Sequence, residues 1–140
     1  MLKFIATAGV FALLLSAAAC GSGSDAVNPG KEIKSGRVGN LTVSISNEEG
    51  VLRQGDDEFY VTFKDAAGNP VDVGAASLNF YMPAMGTMPV MNDPATLTTT
   101  NAPGVYRATV KLQMAGEWQA QVAYEGPAGA AKGSFPVTAQ

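Results

Sequence analysis

Met82, Met85, Met88 and Met91 recur at a spacing of three residues within Tyr81-Met82-Pro83-Ala84-Met85-Gly86-Thr87-Met88-Pro89-Val90-Met91. They are four of the chain's six methionines; the others are Met1 and Met114. A thioether is a soft, neutral ligand that selects Cu(I), and by the same softness Ag(I), over Zn(II) or Cu(II). It needs no deprotonation, so a site built from it works over a wide range of pH. In an extended strand, residues three apart point to opposite faces. In polyproline II geometry they share a face, and Pro83 and Pro89 favour it, but successive sulfurs then stand about 9 Å apart along the axis, from ~3.1 Å of rise per residue. A turn at Gly86 with positive φ folds Met82 and Met85 back against Met88 and Met91. The expectation is a candidate Cu(I)/Ag(I) site at Met82, Met85, Met88 and Met91, with Met85 and Met88 beside the bend.

Methionine also fills gaps in cores and builds adaptable apolar contact surfaces. Met82 continues the inward parity of Leu78 and Phe80, so a core role competes with a ligand role there. The second reading of the segment is therefore an apolar ridge that contacts a protein partner.

The composition removes most other chemistry. The 140 residues contain no histidine and one cysteine, which excludes Ser-His-Asp and Cys-His nucleophiles, Cys/His zinc sites and any intramolecular disulfide. Nine basic against twelve acidic residues give a net charge of -3. No Lys/Arg cluster supplies a nucleic-acid footprint. Asp56-Asp57-Glu58 lacks the alternation of a calcium loop and reads as a solvated turn before a strand. Thr98-Thr99-Thr100 has no recognisable activating base beside it. Lys64, Arg107 and Lys111 fall on outward strand positions. The expectation is a protein that is not an enzyme.

The elements that must carry the methionine segment follow from period-two alternation. Leu41/Val43/Ile45, Phe59/Val61/Phe63, Leu78/Phe80/Met82, Tyr106/Ala108/Val110/Leu112 and Trp118/Ala120/Val122/Tyr124 each alternate with small or polar residues. Thr96 to Thr100 is rich in β-branched threonine, and Phe135 and Val137 close the chain. Turn residues separate these runs, as in Asp65-Ala66-Ala67-Gly68-Asn69-Pro70. About seven short strands in one small domain predict an all-β, Ig-like antiparallel β-sandwich with no disulfide. Its expected core is Val43, Phe59, Val61, Phe63, Leu78, Phe80, Val110, Trp118 and Val122. Tyr106, after Pro103-Gly104, is placed to act as a tyrosine corner.

The N-terminus accounts for the lone cysteine. Lys3, an apolar run from Phe4 to Leu15, then Ser16-Ala17-Ala18-Ala19-Cys20 read as a secretory signal. The run is too short to span a membrane comfortably, which takes about 20 apolar residues. Leu15-Ser16-Ala17-Ala18-Ala19-Cys20 resembles a lipobox, with Cys20 as the lipid attachment site. The division expected is 1–19 lipoprotein signal peptide, 20–38 lipidated cysteine and flexible linker, and 39–140 β-sandwich domain. The location expected is the cell envelope, anchored to the membrane through the N-terminal lipid. Gly21 after the cysteine resembles the pattern for the periplasmic face of the outer membrane in a Gram-negative host.

Three segments together resemble the YtkA-like/FixH family of small envelope domains. They are Asn79-Phe80-Tyr81-Met82-Pro83-Ala84-Met85-Gly86, Pro103-Gly104-Val105-Tyr106-Arg107-Ala108-Thr109-Val110, and Ala115-Gly116-Glu117-Trp118-Gln119-Ala120-Gln121-Val122. The resemblance runs from about Leu41 to Val137. It implies an Ig-like sandwich, an envelope location, and a copper or heavy-metal context, with efflux or cytochrome oxidase assembly proteins as partners. It implies no catalytic residues.

Overall fold

The computed structural model describes residues 27–140, so the expected signal peptide and Cys20 lie outside the described residues. The described residues form eight antiparallel strands: β1 Lys31–Val38, β2 Leu41–Asn47, β3 Gly55–Lys64, β4 Ala75–Met82, β5 Met91–Thr99, β6 Val105–Leu112, β7 Gly116–Gly126 and β8 Gly129–Ala139. Among the described residues no helix is long and apolar enough to cross a membrane.

The strand order is β1-β2-β3-β6-β5-β4-β7-β8. β5 belongs to both halves. Its Met91–Ala95 stretch pairs with β4, and its Thr96–Thr99 stretch pairs with β6. Pro94, which has no N–H to give a ladder, stands just before the crossing. The two halves face each other across an aromatic core. Phe59 meets Phe80 edge-to-face with centroids 5.9 Å apart, and Phe63 meets Tyr124 at 5.8 Å. All nine expected core residues are buried, and Trp118 is the largest of the fully buried side chains.

The expected sandwich is thus present, but its outer edges come together and nearly close the sheet. The Tyr124 hydroxyl donates to the Val38 carbonyl at 3.3 Å, and a Cβ on Gly36 would fall 2.5 Å from the Phe135 ring. This closure depends on β1, which occupies part of the stretch expected to be linker. β-Structure therefore starts at Lys31, inside the 20–38 stretch expected to be linker. Its sequence, Lys31 to Val38, has no apolar period because its residues face solvent except for partly covered positions and the buried Val38. Backbone pairing with β2 holds it, from Lys31↔Asn47 to Val38↔Leu41. Charged side chains are usual on such an edge.

Two local expectations need correction. Asp56, Asp57 and Glu58 are within β3 rather than in a turn before it. The Tyr106 hydroxyl donates to the Gly74 carbonyl at 2.7 Å, 32 residues upstream. A tyrosine corner bonds a few residues away, so this bond ties two distant segments instead.

Candidate functional site

The methionine segment is the β4–β5 hairpin. Gly86 has φ of 57°, and among the described residues no non-glycine residue has positive φ. Positive φ at the first of two loop residues is the type II′ pattern, whose twist matches that of the flanking strands. Met85 and Met88 close the loop reciprocally. The Met85 N–H donates to the Met88 carbonyl at 3.1 Å, and the Met88 N–H to the Met85 carbonyl at 2.9 Å. At the hairpin base, Met82 and Met91 are register partners.

A spacing of three, folded about Gly86-Thr87, therefore becomes two cross-strand pairs: Met85 with Met88, and Met82 with Met91. Pro83 and Pro89 interrupt the ladder between them. A reciprocally bonded pair places its Cα atoms about 5.5 Å apart. Side chains as long and flexible as methionine can then bring both sulfurs onto one ion. The segment is a bent hairpin, not a continuous polyproline II run.

The two pairs sit in different surroundings. Met85 is 55% exposed and Met88 39%, whereas Met82 is 1% exposed and belongs to the core. Met91 is half-buried and packs against that core. The inward parity of β4 accounts for Met82, and its pairing carries Met91 to the same side. Beyond the last ladder pair the tip stands exposed, with Val90 48% exposed as well.

The sequence reading left out two residues at this end. Met114, in the β6–β7 turn, also packs against the core. Asp93, two residues after Met91 on the inward face of β5, is buried. It accepts from the Gln113 backbone N–H at 3.0 Å and from the Gln113 side-chain amide at 2.7 Å. Met114 breaks the spacing of three and lies 23 residues beyond Met91; its link to β5 runs through Gln113, which bonds Asp93. Among the described residues, no three His, Cys, Asp or Glu side chains gather into a metal-holding group.

The family model described as YtkA-like matches residues 37–123. No curated protein and no solved structure matches the chain.

Proposed function

This chain belongs to the YtkA-like family, and from that premise we propose a non-enzymatic, lipid-anchored envelope protein whose methionine hairpin binds a soft univalent cation, Cu(I) or Ag(I). The cation is cargo, held for handling or for handover to an efflux or oxidase-assembly system. The observation that carries this reading is the pairing of four methionines across one hairpin, Met85 with Met88 and Met82 with Met91. Soft neutral sulfur donors fit a soft univalent ion. The exposed tip pair fits exchange with a partner better than storage. Support for the lipid anchor is the sequence alone, Leu15-Ser16-Ala17-Ala18-Ala19-Cys20 followed by a Gly/Ser tether.

Anaerobic Cu(I) titration of the chain tests the reading, with Met85→Leu/Met88→Leu beside the parent. Leucine keeps the apolar bulk and deletes the sulfurs, and swaps that conserve volume usually cost under about 1.5 kcal/mol of stability. The double variant is expected to bind Cu(I) more weakly while melting like the parent. Absence of soft-metal binding by the parent under reducing conditions overturns the reading.

A second reading rests on Val90. It has no sulfur, yet it is exposed with Met85 and Met88, so the tip also forms an apolar contact surface. If that surface is the function, the double leucine variant keeps its partner although it has lost the sulfurs.

A further inference from the structure

Asp93 is 7% exposed, and neither ion pair among the described residues involves it. Its two hydrogen bonds both come from Gln113, one from the backbone and one from the side chain. A buried carboxylate without a countercharge is costly, and hydrogen bonds offset that cost only in part. The sulfurs on neighbouring residues, Met91 two positions before it on β5 and Met114 next to Gln113, have the opposite deficit. Thioethers leave a bound cation's charge uncompensated, so an ion drawn toward Met82 and Met91 would be buried unpaired.

These deficits meet at one end of the fold. Met91 and Asp93 are inward residues of the same strand, and Met82 is the register partner of Met91. A Cβ on Gly116 would stand 3.4 Å from the terminal methyl of Met82, so Met82 reaches the start of β7, two residues past Met114. Met114 in turn follows Gln113, which holds Asp93.

We propose that Asp93 and Met114 complete the soft-cation site at the base of the hairpin, where Met82, Met91 and Met114 supply sulfur and the Asp93 carboxylate neutralises the ion. This rests on the soft-cation reading above and extends it inward from the exposed tip. One negative charge matches one univalent ion and leaves the buried site neutral. A divalent ion there would keep a net positive charge, so the arrangement selects by charge as well as by softness. The tip pair then receives the cation, and the base retains it.

The test uses the full chain purified in detergent, with Ag(I) as the probe, and follows both affinity and the methionine methyl NMR signals. Asp93→Asn keeps an acceptor for the Gln113 N–H and removes the charge. It is expected to weaken Ag(I) binding by about 10–100-fold, the usual effect of losing a supporting group around a metal, while its metal-free form melts no lower than the parent. Met114→Leu is expected to weaken binding as well. In the parent, Ag(I) should shift the methyl signals of Met82, Met91 and Met114. If both variants bind like the parent and only the Met85 and Met88 methyls respond, this inference fails and the tip reading stands. If the parent binds no Ag(I), both fail. Should Asp93→Asn not fold, Met114→Leu and the methyl map decide the matter without it.

Discussion

The indole N–H of Trp118 donates to the Met114 carbonyl at 3.1 Å, so the largest fully buried side chain also fixes the β6–β7 turn. A buried indole usually needs such a partner. Trp118→Ala removes the packing and leaves that carbonyl without its donor. A loss of about 3–5 kcal/mol is expected, measured by urea unfolding. A loss under about 1 kcal/mol would show that the site collapses around the smaller side chain.

Tyr106 is expected to make stability fall at alkaline pH. Burial, and after it the negative charge of Asp72, raise its phenol above the ordinary 10.0, and a neighbouring backbone hydrogen bond only partly opposes them. Above the ordinary value the unfolded chain ionises while the folded phenol keeps its proton. The unfolded state then binds fewer protons, so stability falls as pH rises. The contribution is complete below the unfolded value and is lost through the folded one. Tyr106→Phe is expected to cost about 1 kcal/mol near neutrality through the lost bond to Gly74. It should also flatten the decline above about pH 10, seen in melts across that range. An unchanged alkaline slope would assign the decline to other groups.

Closure of the sheet rests on Gly36. A Cβ there would lie 2.5 Å from both Cγ and Cδ1 of Phe135, so the ring or the β1 backbone must move. Gly36→Ala is expected to cost about 1–3 kcal/mol, the range for overpacking. Phe135→Leu should absorb part of that cost, giving a coupling of about 0.5 kcal/mol or more between contacting sites. Additive single and double variants would mean that β1 is not pressed on β8 as described.

Much of this fold was legible because most strands are half-buried and alternate. Val43 and Ile45, Phe59 to Phe63, and Trp118 to Tyr124 announced both strand and inward face. β1 was not legible, since Lys31, Lys34 and Arg37 give an edge strand no apolar period and its order comes from backbone pairing with β2. The start of β5 was hidden by Pro94 and Asn92, which read as turn residues until β4 is seen to pair with them. At the site, the period of three and Gly86 gave the hairpin. Asp93 and Met114 could not be found by spacing, because the strand crossing and the β6–β7 turn bring them together.

Cys20 lies before the described residues, and its role rests on the lipobox resemblance alone. Cys20→Ser is expected to move the protein out of the membrane fraction or to leave its signal uncleaved. Fractionation with intact-mass measurement of the N-terminus checks this. Normal processing with unchanged membrane retention would rule out the lipid anchor.

Gly86 is the first of the two loop residues at the tip of the hairpin, enclosed by the Met85–Met88 pair. Nothing lies within 4 Å of a Cβ added there, so Gly86→Ala meets no clash, only the positive φ. Such a sparsely populated backbone conformation costs an L-residue about 1–3 kcal/mol. The cost falls on the Met85–Met88 closure, because Met82↔Met91 and the ladder below it are untouched. The Met88 amide should therefore exchange faster with solvent while the global melt barely changes. Gly55→Ala is a matched control, since Gly55 also has positive φ with no atom within 4 Å, and it lies at the start of β3. If the tip pair receives the soft cation, Gly86→Ala weakens Ag(I) binding and Gly55→Ala does not. Equal binding by both variants, with Met88 exchange raised only in the first, would show that closure of the tip pair is not needed for the cation.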